Sequence, residues 1–214
     1  MKVLITGTTR GIGKAIALKF LALNHQVIGI DQNPSSINDT NYTHYQCDIY
    51  YDDLPDINDI EILINNAGVQ NQNDIDVNLK GTIKVTEKYG FNKSIKSILF
   101  NASASARTGA EFPLYVASKG GVVAYMKNVS QRVSKLKATA NAISPGGVIC
   151  ELNQHILDSK DLYDKVLNET LLGKWANVEE IAEWAYFITV VNKSMTGEDI
   201  LIDNGEAIKS NFIW

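Results

Sequence analysis

The chain has 214 residues, 45% apolar and 21% charged, enough for one domain around a sizeable core. Its net charge of −4 supplies no basic field, which excludes nucleic acid and an anionic membrane surface as expected partners. Its two cysteines, Cys47 and Cys150, lie far apart without Cys-x-x-Cys spacing or a histidine cluster, which argues against a disulfide framework and a bound metal and for reduced thiols in a reducing compartment.

In chain order, Val3-Leu4-Ile5 predicts a short buried strand that ends at Thr6-Gly7. That run is too short for a signal-peptide core, and the longest apolar stretch, residues 181–191, is interrupted by Glu183 and too short to span a bilayer, so a cytoplasmic protein is expected. Residues 11–24 have helical spacing, with Ile12, Ile16, Phe20 and Leu23 on one face. Strands follow at 26–30, ending at Asp31, at 42–47 and at 61–64, the last running into Asn65-Asn66-Ala67-Gly68. Residues 74–89 read as a helix and 95–101 as the fifth strand. Residues 113–134 form a long helix with Pro113 in its first turn, where a missing N–H costs least. A sixth strand over 139–143 leads to Ser144-Pro145-Gly146, then come a helix over 178–190 and a last strand over 200–202.

Apolar strands that alternate with amphipathic helices predict an α/β fold, a Rossmann-like doubly wound parallel sheet in a single domain over residues 1–214. Ligands bind such sheets at the carboxyl ends of the strands. Gly7, Asp31, Asp48, the Asn65–Gly68 segment, Ser103 and Pro145-Gly146 all fall at or just after such ends. That common rim is a stronger signal than any one motif.

The loop from Thr6 to Gly13 places Gly7, Gly11 and Gly13 in the spacing Gly-x3-Gly-x-Gly between a strand and a helix. Glycines there permit a tight turn and let backbone approach a pyrophosphate at the helix N-terminus. Asp31 lies 18 residues beyond Gly13, close to the offset of a ribose-binding carboxylate. A carboxylate there accepts from ribose hydroxyls and repels a 2′-phosphate, so NAD is favoured as cofactor. Arg10 argues for NADP, the less favoured cofactor, because a guanidinium beside the loop can pair with that phosphate.

These residues resemble the short-chain dehydrogenase/reductase family. The resemblance rests on the glycine loop, on Asn65-Asn66-Ala67-Gly68, on Ser103 with Tyr115 and Lys119 in Tyr-x-x-x-Lys spacing, on Pro145-Gly146 and on Asp203-Asn204-Gly205, in family order from residue 2 to about residue 207. It implies a hydride transfer between a nicotinamide and a secondary alcohol or ketone. It further implies Ser103, Tyr115, Lys119 and Asn78 as catalytic residues. Ser103 would orient the substrate oxygen, with Ser105 as the alternative hydroxyl, and Asn78 would help hold a water for proton relay. Lys119 would also hold the nicotinamide ribose. By the same resemblance Gly7, Thr9, Arg10, Gly11, Ile12 and Gly13 line the cofactor. Asp48, followed by Ile49, contacts adenine. Asn65, Ala67 and Gly68 support and line the adenosine side, and Pro145, Gly146 and Val148 flank the nicotinamide.

The chemistry needs a proton donor or acceptor at the substrate oxygen. A free phenol titrates near pH 10, far from neutrality, and a nearby ammonium favours phenolate. Tyr-x-x-x-Lys spacing occurs twice in this chain, at Tyr115/Lys119 and Tyr89/Lys93. Tyr115 and Lys119 fall inside a predicted helix, where positions i and i+4 share a face. Tyr89 precedes Gly90 at a helix end and is read as structural. Three other readings stay open: a non-catalytic dinucleotide-binding module of the same fold, an NADP-preferring carbonyl reductase, and an epimerase or dehydratase with bound NAD.

Three features depart from the family. Only nine residues separate Gly68 from Asn78, and the crossover from Asp48 to Asn65 is also short, so its helix must be stunted or replaced by irregular chain. Cys150 stands where the family often has Thr, and is read as an inert thiol. Residues 149–175 are expected as an apolar substrate lid, with His155 a candidate substrate contact; the other histidines, His25 and His44, read as structural. A homodimer or homotetramer is expected, because helices 74–89 and 113–134 match those that pair between subunits in the family and the chain ends in three consecutive apolar residues, Phe212-Ile213-Trp214.

Overall fold

Nine strands appear in the computed structural model, which describes residues 1–110 and 112–210. They are β1 (Lys2–Thr6), β2 (Gln26–Asp31), β3 (Tyr42–Gln46), β4 (Ile62–Asn65), β5 (Ser97–Asn101), β6 (Thr139–Pro145), β7 (Val148–Ile149), β8 (Ala176–Asn177) and β9 (Asp199–Ile202). Seven of them form one parallel sheet in the order β3-β2-β1-β4-β5-β6-β9. The order reverses between β1 and β4, so the connections leave the sheet in opposite directions there and open a crevice at the strand ends.

Alternation along each strand sends successive side chains to opposite faces. Leu4, Ile28, Leu63, Ile98 and Phe100 pack on one face with Val122, Met126 and Val129. Val3, Ile5, Val27, Ile64 and Leu99 pack on the other with Ile16, Phe20, Ile181 and Ala185. These partners come from α1 (Gly11–Ala22), α4 (Pro113–Val133) and α7 (Val178–Tyr186), and α2 (Thr82–Tyr89) adds Val85 and Tyr89; the remaining helices, α3 (Ser105–Thr108), α5 (Gln154–Leu157) and α6 (Lys160–Leu167), lie outside both clusters. Leu23, expected on the buried face of the first helix, is its C-cap and is exposed.

Two expected helices are composite. A π-helical segment, Ile75–Gly81, precedes α2, and another, Phe187–Val191, follows α7. In the second, the Thr189 hydroxyl donates back to the Ala185 carbonyl at 2.7 Å, competing with the regular backbone pattern.

Residues 47–61 contain no helix, as the shortened crossover requires. Side chains of α2 pin this irregular chain instead. Lys84 Nζ donates to the carbonyls of Tyr50 (3.0 Å) and Asp52 (2.6 Å), Lys88 Nζ to that of Leu54 (2.5 Å), and Tyr89 Oη to that of Pro55 (2.5 Å). Leu54 and Ile60 are buried beneath it. Tyr89, the second tyrosine with Lys at i+4, is therefore a core residue with its hydroxyl committed.

The short strands β7 and β8 were not expected. They pair in parallel, Val148 with Ala176 and Ile149 with Asn177, and bring together the two ends of the expected lid. Trp175 is buried against Gly147, where an added Cβ would lie 2.1 Å from Trp175 Nε1. Residues 211–214, with the apolar run Phe212-Ile213-Trp214, lie outside the described residues. No helix among the described residues is long and apolar enough to cross a membrane.

Candidate active site

The rim at the crevice is built first by backbone. Gly7 and Gly11 take positive φ, +74° and +54°, which glycine adopts without strain. A Cβ on Gly7 would lie 2.9 Å from Ala67 Cα, so this glycine lets the ends of β1 and β4 approach. Gly13 serves packing alone: a Cβ there would lie 2.0 Å from the Gly7 carbonyl, and the residue sits behind the cleft wall. Helix α1 starts after Arg10 with no side-chain cap and no acidic residue in its first turn. Its first N–H groups and its positive dipole end thus have no side-chain anion of the same helix.

At the end of β2 the Asp31 carboxylate is buried and fully hydrogen-bonded. Oδ2 accepts from Thr9 N (3.0 Å) and Thr9 Oγ1 (2.9 Å), and Oδ1 accepts from Asn33 N (2.9 Å) and Asn33 Nδ2 (3.1 Å). A second network supports this corner. Thr8 Oγ1 and Tyr42 Oη share a hydrogen at 2.7 Å, Tyr42 Oη meets His44 Nδ1 at 3.0 Å, and His44 Nε2 donates to the Asn33 carbonyl at 2.9 Å. Burial raises the Tyr42 hydroxyl above its ordinary pKa, so it remains a neutral link. No role is expected for Asn33 or Tyr42 from the sequence, and His44, read as structural, braces this corner. Tyr42 and His44, at alternate positions of the edge strand β3, were the only available signal.

The strand-end asparagines divide their work. Asn65, expected to line the adenosine side, turns its side chain away from the cleft and donates to Thr86 Oγ1 on α2 at 3.0 Å. Asn66, to which no role was attached, faces the cleft. Its Nδ2 donates to the carbonyls of Thr6 (3.0 Å) and Gly7 (3.1 Å), and its Oδ1 accepts from Asn101 Nδ2 (2.9 Å). It therefore ties the ends of β1 and β5 to β4. Ala67 and Gly68 line the cleft as expected, with Asp48 and Ile49 on its wall. Asp48 Oδ1 accepts from Tyr50 N and Tyr51 N, which orders the turn that carries Ile49.

Helix α4 presents Tyr115 and Lys119 on one face. Lys119 is 5% exposed, its Nζ donates to the Asn101 carbonyl at 2.8 Å, and Nζ lies 5.7 Å from the Tyr115 ring centroid. Ser103, at the end of β5, lines the same cleft with Tyr115 and Lys119. Ser105 lies behind it and donates to Ser103 Oγ at 2.8 Å. The Asn78 side chain sits behind the cleft wall, 1% exposed. Its Oδ1 accepts from Val69 N (2.8 Å), and its Nδ2 donates to Val69 O (2.9 Å) and to Ser118 Oγ (3.1 Å). Ser118 Oγ in turn donates to the Tyr115 carbonyl at 2.7 Å. The side chain of Asn78 is thus committed to bracing the shortened 69–77 segment against the turn of α4 that bears Tyr115.

On the far wall, Pro145, Gly146 and Val148 line the cleft, followed by Cys150, Glu151, Leu152 and Asn153. Burial raises the Cys150 thiol pKa, which keeps it protonated near neutrality and fits an inert thiol. The apolar lid residues Leu162, Leu171 and Leu172, expected over the substrate, are exposed and stand away from the cleft wall; His155 is exposed on α5. Behind Gly146 and Gly147, burial raises the Glu206 carboxyl pKa, offset in part by the Gly147 N–H.

A family model described as enoyl-(acyl carrier protein) reductase matches residues 7–206. The chain is 27% identical, over 238 aligned residues covering 94% of each protein, to 2-dehydro-3-deoxy-D-gluconate 5-dehydrogenase of Pseudoalteromonas atlantica. Of solved structures, 4-hydroxyisoleucine dehydrogenase complexed with NADH is similar at a TM-score of 0.85 and 25% identity, covering 98% of this chain and 99% of that one. ElxO with NADP bound shares the fold at a TM-score of 0.85 and 22% identity, covering 97% and 99%.

Proposed function

The chain belongs to the short-chain dehydrogenase/reductase family and is an oxidoreductase of that family, and from this premise we propose that it moves a hydride between NAD(H) and a secondary alcohol or ketone, with Tyr115 as general acid and base. The observation that carries the reading is the grouping of Tyr115, Lys119 and Ser103 on one wall of the crevice, with the Lys119 ammonium fixed on the Asn101 carbonyl.

The residues present fit a dinucleotide. Gly7 and Gly11 leave a cradle that side chains would fill, and the N-terminus of α1 offers uncapped N–H groups to a pyrophosphate. Thr9, Arg10 and Ile12 flank that cradle, Asp31 meets the adenosine ribose, and Asp48 and Ile49 meet the adenine. Ala67, Gly68, Pro145, Gly146 and Val148 line the path to the nicotinamide end. A bound nicotinamide dinucleotide supplies the hydride donor or acceptor. NAD is favoured over NADP because the Asp31 carboxylate opposes a 2′-phosphate.

The chain itself handles the proton. In reduction, Tyr115 Oη gives its hydrogen to the substrate oxygen; in oxidation it takes one back. Lys119 places a fixed positive charge beside the phenol. Ser103 donates to the same substrate oxygen and fixes its position. Asn78 acts on the reaction by positioning, through Ser118 and the backbone of Tyr115. A homo-oligomer in a reducing, cytoplasmic setting completes the reading, supported by the two free cysteines and by the family resemblance of α2 and α4.

The test is a panel of secondary alcohols with NAD and NADP, and of ketones with NADH and NADPH, followed by the absorbance of the reduced cofactor. Turnover that prefers NAD(H) and disappears in Tyr115→Phe is expected. Binding of the dinucleotide without turnover of any substrate class would instead favour a non-catalytic module.

A further inference from the structure

We propose that Glu151 is an anion gate on the cofactor cleft: its carboxylate lies over the glycine loop where the phosphates of a dinucleotide are to sit, and it must withdraw before they enter. The inference rests on the dinucleotide reading given above.

A Cβ placed on Gly11 would be 3.7 Å from Glu151 Oε2 and 3.7 Å from Cys150 Cβ. The first turn of the lid therefore rests against the phosphate cradle itself, and Glu151 lines the same cleft as Arg10, Gly11 and Ile12. This placement has a physical cause. Helix α1 carries neither a side-chain cap nor an acidic residue in its first turn, so its positive end attracts a carboxylate from elsewhere. The other two carboxylates on the cleft wall are already held, Asp31 by Thr9 and Asn33 and Asp48 by Tyr50 and Tyr51. Among the described residues Glu151 makes no side-chain hydrogen bond or ion pair, and its side chain is exposed, so it can move.

The turn that bears Glu151 is fixed from the other side. Asn153 Nδ2 donates to the Val148 carbonyl at 2.8 Å, Asn153 N to the Cys150 carbonyl at 3.0 Å, and β7 pairs with β8 directly before it. The carboxylate is therefore delivered to the loop by a pinned element. A pyrophosphate and this carboxylate are like charges competing for one helix end. The gate weakens every ligand that carries the pyrophosphate, and cofactor entry displaces the Glu151 side chain in the first turn of the lid.

The experiment uses the full chain and two competitors of NADH binding, ADP-ribose, which carries the pyrophosphate, and adenosine, which lacks it. Glu151→Gln should tighten ADP-ribose about fivefold and Glu151→Lys more, while adenosine changes little, since an anion near a helix N-terminus contributes on that scale. ADP-ribose affinity that stays unchanged or weakens in both variants would overturn the gate alone, because NADH binding by the parent leaves the dinucleotide reading intact. A parent that binds neither NADH nor ADP-ribose would overturn that reading and the gate together.

Discussion

Ser105 gives its hydroxyl hydrogen to Ser103 Oγ over 2.8 Å, and its backbone N–H reaches the same oxygen at 3.2 Å. A serine oxygen has two acceptor sites, and both are thereby filled. The hydrogen of Ser103 is what remains to be offered, so Ser103 faces the cleft as a donor. Ser103→Ala should lower kcat by about 10²-fold, the scale of removing one donor from a reacting oxygen. Ser105→Ala frees one acceptor site and loosens the rotor, and should lower kcat by less than about tenfold, the equivalent of one ordinary hydrogen bond. Steady-state kinetics of both variants would check the order; an equal loss in each would show that Ser103 does not act alone on the substrate.

Tyr115→Phe removes only an oxygen from a half-buried ring. Turnover should fall by about 10² to 10⁴, the usual contribution of general acid–base catalysis, with NADH affinity nearly unchanged. Lys119→Ala should lower turnover and cofactor affinity together. It also leaves the Asn101 carbonyl without its buried donor, and thermal stability should drop by about 1–3 kcal/mol. Calorimetry beside cofactor titration separates these effects.

Asp31→Ala tests cofactor choice. The parent should bind NAD(H) at least several-fold more tightly than NADP(H), and the variant should narrow that ratio because the like charge facing a 2′-phosphate is gone. Four hydrogen bonds to Thr9 and Asn33 disappear as well, so affinity for both cofactors should weaken, NAD(H) the more. Parallel titrations with the two cofactors give the ratio, and parity in the parent would refute the assignment.

Glu206 carries a pH signature. Burial raises its carboxyl pKa above the ordinary 4.5, with the charges of Asp203 and Glu169 adding to the shift. A group whose folded pKa is raised binds its proton more tightly when folded. Its penalty on folding is therefore absent below the unfolded pKa, grows as pH climbs through the folded value and is constant above it. Glu206→Gln, neutral throughout, should match the parent near pH 4 and melt about 2 °C or more higher at pH 8. Melting curves across that range decide the point, and a gain that is largest at low pH would reverse the sign.

Light scattering should report a dimer or tetramer for the full chain, and a smaller species for a chain lacking residues 211–214 if the terminal apolar run helps assembly. A monomer at micromolar concentration in both would remove the oligomer from the reading.

Much of this site was legible because parallel strands place their carboxyl ends on one rim. Gly7, Asp31 and Ser103 fall at strand ends, helical spacing puts Tyr115 and Lys119 on one face, and the family resemblance implies the roles of Ser103, Tyr115 and Lys119; all five share the cleft. What escaped depended on side-chain direction at strand ends, which no periodicity fixes. Asn65 and Asn66 are adjacent and alike, and they face opposite ways because successive strand residues alternate. Asn78 was matched by motif, yet its side chain is spent on Val69 and Ser118, a consequence of the shortened segment between Gly68 and Asn78. The β7 and β8 pair escaped because two-residue strands are too short to show alternation.

That short pair gives the lid the topology of a cassette. Val148 and Ala176 are hydrogen-bonded neighbours in space, so the chain leaves and re-enters the body of the protein a single strand spacing apart, about 4.8 Å. Between these two doorposts, residues 150–153 and 168–175 pack back onto the body, but α5 and α6 contribute nothing to the cleft wall and can be lengthened, shortened or exchanged without moving the sheet, the glycine loop or α4. The entropy of closing such an insert grows only with the logarithm of its length, so doubling it costs about 0.6 kcal/mol. A graft that replaces residues 154–167 and keeps both strands, residues 150–153 and residues 168–175 should therefore yield a folded protein on an unaltered proton-transfer wall.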